Sequence, residues 1–170
     1  AQKNRGQVAT QEEKDSAMDL IYQLEALNPT PDATNVNIIG GVWELVYSDS
    51  QPFRSSPFFM AIGELFGEEK DRAETLFAFH RAATSIGEIG RVRQTISEAM
   101  LVSEIDLKVG VFPGLPVSLT GTVVTKARLS PISSIRGDVP ETKLSTYYLD
   151  DNMRISRTPD DHVFVYVRAA

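Results

Sequence analysis

The 170-residue sequence contains no cysteine, which excludes a disulfide framework, a thiolate zinc site, an iron–sulfur cluster and a cysteine nucleophile. It has no basic stripe, and its 23 acidic residues outnumber its 17 basic ones, so we expect no nucleic-acid partner. The longest uncharged stretch, Val109 to Thr125, contains two prolines and three glycines and does not read as a transmembrane helix. We expect a mature chain from which a transit peptide has been removed, since the first residue is not Met and no secretory signal follows.

The first predicted element is a helix from Gln11 to Leu27. Thr10 and Glu13 have the spacing of a capping box, in which each side chain accepts a hydrogen bond from the other residue's backbone. An apolar stripe follows at helical spacing and needs a surface to pack on, such as a barrel end or a sheet edge. Its residues are Ala17, Leu20, Ile21, Leu24 and Leu27.

A strand is predicted next, from Gly41 to Ser48. Alternation places Trp43, Leu45 and Tyr47 on one side of it. Aromatic residues on one side of a strand indicate that this side faces a core or a cavity.

Two helices are predicted after this strand. Ser56 is a suitable N-cap with Pro57 at the first helical position, and an apolar stripe runs from Phe58 and Phe59 to Phe66. A second helix is predicted over 68–83. The first can serve as a core helix, a lid over a cavity, or a helix lying in a lipid headgroup layer.

The rest of the chain is predicted to be β, because short runs rich in β-branched residues alternate with Gly, Pro, Asn and Asp. With the first strand this gives about seven or eight antiparallel strands. An up-and-down barrel or a strongly curved sheet is the economical arrangement for them, since closure removes the exposed edges. We therefore expect one domain over 1–170, with a helix and linker at 1–35 and a barrel at 36–170. The predicted strands are Val92–Ser97, Leu101–Val109, Val117–Leu129, Glu141–Leu149, Met153–Arg157 and Val163–Arg168.

The sequence resembles the plastid lipid-associated proteins, also called plastid fibrillins, in six segments that occur in the family's order. These segments are Glu25–Pro31, Gly41–Ser48, Phe53–Phe59, Ile89–Ile96, Tyr148–Arg157 and Val163–Arg168. The resemblance implies a lipocalin-like, calycin-type barrel, association with thylakoids or plastoglobules, and binding of a small lipophile such as a carotenoid, a quinone or a fatty acid.

The residues Gly41 and Trp43 also look like the lipocalin G-x-W signature. In that wider group an arginine near the C-terminus packs across the tryptophan, a cation–π contact of about 0.5–2 kcal/mol. Arg154, Arg157 and Arg168 are the three candidates for this contact.

Several aromatic residues and one arginine are candidate ligand-binding residues. They either line a cavity or fill the barrel as ordinary core. The set is Trp43, Tyr47, Phe58, Phe59, Phe79, Tyr147 and Arg154.

Support for catalysis is thin. His80 and His162 are isolated, and the pairs Asp150–Asp151 and Asp160–Asp161 are typical of turns. We expect no catalytic residue, no metal site and no cofactor other than a bound lipophile.

The first functional hypothesis is a protein that binds or sequesters a hydrophobic small molecule at the thylakoid or plastoglobule surface. The alternative is a non-catalytic structural subunit or assembly factor docked on a photosynthetic membrane complex. An enzyme acting on a lipophilic substrate is a third interpretation, for which no nucleophile–base pair can be named.

Overall fold

A computed structural model describes residues 4–33, 35–50, 87–110, 118–129 and 144–169 of the chain. This part is mainly β, as predicted. After a short 3-10 turn at Asn4–Gly6 come helices α1 (Gln11–Ala26) and α2 (Val36–Ile39) and strand β1 (Gly41–Ser48). The other strands are β2 (Gly87–Ile96), β3 (Met100–Gly110), β4 (Ser118–Arg128), β5 (Ser145–Leu149), β6 (Met153–Arg157) and β7 (Val163–Arg168).

The seven strands form one antiparallel sheet in the order β4-β3-β2-β1-β7-β6-β5. Strand β1 lies at its centre, between β2 and β7. Strands β4 and β5 are its two ends, and they do not pair with each other within the described residues. The sheet is therefore not closed into a barrel there, and the expected lipocalin-like barrel of about eight strands is not confirmed.

Two kinds of local signal are borne out in the part of the chain that the structure describes: the capping box and the bounds of three strands. The capping box forms as predicted: Glu13 N–H donates to Thr10 Oγ1 at 3.3 Å, and Thr10 N–H donates to Glu13 Oε2 at 2.9 Å. The bounds of β1, β6 and β7 match the prediction. The two helices predicted over 56–66 and 68–83 lie outside the described residues.

Helix α1 packs through only part of the predicted stripe: Ile21 and Leu24 are confirmed, and Met18 joins them. Met18, Ile21 and Leu24 contact a cluster on β5, β6 and β7. Leu20 and Leu27, both assigned to the buried stripe, are 62% and 75% exposed. Helical periodicity identifies an apolar side of the helix but does not fix its centre. The position of the sheet decides which of the apolar residues are covered.

The two faces of the sheet are distinct. Residues that alternate with the helix-covered ones form the opposite face, which we call the concave face. It holds one buried cluster spread over five strands: Trp43, Leu45, Val92, Ile96, Ile105, Leu149, Phe164 and Tyr166. The other face, which α1 covers at β5–β7, we call the helix face; its buried residues are Ile21, Tyr148, Ile155, Val163 and Val165.

The sheet curves towards the concave face. Arg154 on β6 donates a hydrogen bond through Nη2 to Gln94 Oε1 on β2. Three strand-to-strand steps separate β6 from β2, which in a flat sheet would amount to about 14 Å. Two side chains that meet across this interval indicate that the strands bend towards each other. Helix α2 closes one end of the hollow, where Ile38 and Ile39 pack on the buried cluster.

Candidate functional site

The centre of the concave face is Trp43, whose side chain is fully buried. Its position on β1 places the indole over the middle of the sheet. The indole Nε1 donates a 2.8 Å hydrogen bond to the backbone oxygen of Ile39 in α2. The buried N–H is thereby satisfied, and the strand is tied to the short helix that covers it.

Arg168 lies closest of the three candidate arginines to this indole, with its Cζ 4.3 Å from the ring centroid. Its guanidinium also donates to the backbone oxygens of Ile38 and Gly40, both at 2.8 Å, and of Asp151 at 2.6 Å. Arg168 therefore joins the end of β7 to α2 and to the β5–β6 turn.

The position of the Arg168 guanidinium requires a glycine at position 41. A Cβ added at Gly41 would lie 2.5 Å from Arg168 Nη1, and the backbone φ of +125° is one that side-chain-bearing residues rarely adopt. The glycine of the G-x-W pattern thus leaves room for the cation that stacks on the tryptophan.

Arg154 is the second arginine beside Trp43, at 5.5 Å from the indole centroid and 4.1 Å from that of Tyr166. It is only 1% exposed. Burial lowers its pKa to about 10, so the guanidinium remains charged at neutral pH. Its Nη2 donates to Gln94, while its buried Nε has no hydrogen-bond partner among the residues that the structure describes. Within the described residues no carboxylate forms an ion pair with it.

Arg157, the third candidate, lies on the helix face and not beside Trp43. It donates two hydrogen bonds to the Glu25 carboxylate of α1, at 2.8 and 2.9 Å, and one to Asp161 at 2.7 Å. Burial alone would lower the pKa of Arg157, but these hydrogen bonds raise it above its ordinary value. Its role is to hold α1 on the sheet.

The structure separates the predicted site residues. Trp43 and Arg154 lie together on the concave face. Tyr47 does not, because the pairing of β1 with β7 shifts register between Leu45 and Tyr47 and a bulge reverses the alternation. The Tyr47 ring packs with the cluster on the helix face, so the prediction that Trp43, Leu45 and Tyr47 share one side is wrong.

Tyr147 also lies apart from Trp43. It is half-exposed, and Arg157 Cζ is 5.7 Å from its ring centroid. Phe58, Phe59 and Phe79 lie outside the described residues, and their role as ligand-binding residues stays a prediction.

Sequence reasoning missed Gln94 and Tyr166, which both contact Arg154. Gln94 alternates with Val92 and Ile96, which are buried on the concave face. A polar residue among the apolar, inward-facing positions of an alternating strand can be recognised from the sequence, and it indicated a polar contact on this face. Tyr166 alternates with Phe164 in the same way.

The acidic pairs behave as turn residues, in agreement with the sequence reading. Asp150 Oδ1 accepts from the N–H groups of Asn152 and Met153, at 2.7 and 2.6 Å, and so shapes the β5–β6 turn. Asp161 has a left-handed φ of 63° in the turn before β7. In the described part of the chain, no three His, Asp or Glu residues are grouped as a metal ion would need. No helix in this part has the length and hydropathy to cross a membrane.

Comparison with known proteins gives two matches. The PAP_fibrillin family model matches residues 1–66, which include α1 and β1. Plastid lipid-associated protein 2, chloroplastic, from Brassica campestris is 29% identical over 205 aligned residues, covering 97% of this chain. The chain spans 64% of the length of that relative. No solved structure matches the chain significantly. The resemblance to the plastid lipid-associated, or plastid fibrillin, family is thereby confirmed.

Proposed function

We propose that the chain is a non-catalytic, lipid-associated protein of plastids that binds a hydrophobic small molecule on the concave face of its sheet. The observation that supports this proposal is the apolar layer around Trp43. Helix α2 covers this layer at one end, and the layer is partly exposed to solvent at the β4 edge of the sheet. On β4 the inward-facing Val123 is 38% exposed. Burial of an alkyl chain against such a surface contributes about 0.8 kcal/mol per CH₂.

The matches to the fibrillin family support the plastid and lipid parts of this proposal. We propose peripheral association with the thylakoid or plastoglobule surface, with a carotenoid, a quinone or a fatty acid as ligand. We further propose one domain over 1–170 with a lipocalin-like fold. Phe58, Phe59 and Phe79 are proposed as further ligand-binding residues.

The direct test is to purify the protein from plastids, extract it with organic solvent and identify the released molecules by mass spectrometry. We expect one class of lipophile at near-stoichiometric amount. A parallel extraction of the Trp43→Ala variant controls for lipid that adheres to the outer surface. An empty extract, together with no retention of added carotenoid, quinone or fatty acid, would falsify the proposal.

A second candidate function is a structural subunit or assembly factor on a photosynthetic membrane complex. Its support is the outer side of α1, where Leu20 and the C-cap residue Leu27 are both more than half exposed. Apolar side chains grouped on one helix favour contact with another surface. Native gels of solubilised thylakoids separate the two functions, because a stable comigrating complex without bound lipophile supports only the second.

A further inference from the structure

A row of polar residues crosses the strands of the concave face, between two rows of apolar residues. Register places Gln94, Ser103 and Thr125 side by side on β2, β3 and β4, next to Trp43 on β1. Together with Arg154, which bonds to Gln94, they form what we call the polar track. On one side of it lie Ile96, Leu101 and Ala127, and on the other side Val92, Ile105 and Val123.

Arg154 is the buried end of this track, and its charge is incompletely satisfied. In the described part of the chain it has one hydrogen bond to a neutral amide, two aromatic rings beside it and one buried Nε without an acceptor. A buried charge is costly unless an opposite charge and hydrogen bonds compensate it. The charge of Arg157, on the same strand, is compensated, because carboxylates accept three of its hydrogen bonds.

We propose that the concave face binds an amphiphile with a single carboxylate headgroup, which accepts hydrogen bonds from Arg154 while its alkyl chain lies along the apolar residues beside the polar track. A carboxylate matches the planar guanidinium with two oxygens. It supplies the missing acceptor for Nε and the missing negative charge. The neighbouring apolar row of Val92, Ile105 and Val123 leads from the head towards the exposed β4 side of the sheet.

This inference rests on the proposed function, since it names the ligand class for the same face. It differs from that function in a measurable way: any lipophile satisfies the proposed function, whereas here the acid must bind more tightly than its neutral ester. A charge-assisted pair in an apolar site supports a preference of about tenfold or more.

The experiment uses the single tryptophan of the chain as an energy donor. The full-length protein is titrated with cis-parinaric acid and, separately, with its methyl ester, and quenching of Trp43 fluorescence gives both dissociation constants. The two probes share one polyene chain and differ in the charged headgroup. We expect the wild-type protein to bind the acid about tenfold or more tightly than the ester.

Two variants test the role of Arg154, and a third is the matched control. In Arg154→Gln the acid-over-ester ratio should fall to about one. In Gln94→Glu the chain's own carboxylate lies within reach of Arg154, so the ratio should fall by about tenfold and the melting temperature should rise. Arg91→Gln removes the same charge from an exposed position on β2 and should retain the wild-type ratio.

Each other outcome overturns a stated part of the inference. Equal affinity of the wild-type protein for acid and ester removes the headgroup preference and leaves the proposed function standing. Binding of neither probe overturns both. An unchanged ratio in Arg154→Gln, or in Gln94→Glu if Arg154→Gln does not fold, shows that Arg154 is not the anchor. Stronger competition by lysophosphatidic acid than by oleic acid assigns the site to a phosphate headgroup and overturns the carboxylate.

Discussion

Arg154 and Arg157 lie three residues apart on β6, and they are buried on opposite faces of the same sheet, at 1% and 4% exposure. Arg157 is matched by Glu25 and Asp161. Arg154 has aromatic rings and an amide, and no ion-paired carboxylate in the described residues. On the helix face, the buried charge of Arg157 therefore fixes α1 to the sheet. On the concave face, no carboxylate of the described residues neutralises the buried charge of Arg154. Equal burial therefore does not mean equal function.

The largest expected effect is on the helix face. Arg157→Met removes the partner of Glu25, whose side chain is only 12% exposed. A carboxylate left without its cation in such a position costs about 3 kcal/mol of unfolding free energy. Urea denaturation followed by circular dichroism measures this loss.

The control for Arg157→Met is the double variant Glu25→Leu with Arg157→Met, which leaves no unpaired charge. We expect it to recover most of the lost stability, because replacing a whole buried ion pair by apolar side chains is often nearly neutral. A double variant as unstable as the single one would mean that Arg157 acts through packing and not through its charge.

The next effect in size is at the Trp43 end of the concave face. Gly41→Ala forces an unfavourable φ and places a methyl group against Arg168, so we expect a loss of about 2 kcal/mol. Displacement of Arg168 should also change the emission of Trp43. Gly121→Ala on β4 is the matched control, since nothing lies within 4 Å of its added Cβ. Equal stability of the two variants would argue against the close approach of Arg168.

How far the sequence predicts this molecule depends on whether a signal is local. The capping box, the strand of Trp43 and the last two strands are set by neighbouring residues, and they were predicted correctly. The stripe of α1 that packs, and the bulge that turns Tyr47 to the other face, depend on contacts between distant segments. Hydrophobic periodicity contains no information on these contacts.

The candidate site shows the same limit. The residues Gly41 and Trp43 and a set of three arginines were visible in the sequence, but their pairing was not. Only the sheet order places Arg168 beside β1 and Arg154 across β7 from it. Gln94 was within reach of prediction, because alternation along β2 puts it on the inward side.

A smaller effect is expected from removing the unmatched arginine. Arg154→Met eliminates a buried charge without leaving a buried carboxylate behind in the described residues, so its unfolding free energy should change by less than about 1 kcal/mol. The same denaturation experiment compares it with Arg157→Met. A loss as large as that of Arg157→Met would break the comparison, since it would mean that an acid elsewhere in the chain pairs with Arg154.

The smallest effect tests the turn that joins the two faces. Partial burial opposes ionisation of Asp150, but hydrogen bonds from Tyr148, Asn152 and Met153 and the charge of Arg168 hold its pKa below the ordinary value. A lowered folded-state pKa adds stability above the unfolded pKa of about 3.9, and this stability is lost as the pH falls through the folded pKa. Asp150→Asn should therefore cost about 0.5 kcal/mol at neutral pH, a value reduced by solvent screening.

The pH dependence distinguishes this carboxylate from the arginines on either face. The stability difference between the wild-type protein and Asp150→Asn should be constant from pH 5 to pH 8, and it should shrink below about pH 4 as Asp150 takes up a proton. Asp151→Asn, in the same turn but exposed, controls for the change in net charge. Arg168 lies on the concave side of the turn, while Tyr148 belongs to the cluster on the helix face. A difference that persists at pH 3 would therefore mean that Asp150 holds the two faces together by turn geometry and not by its charge.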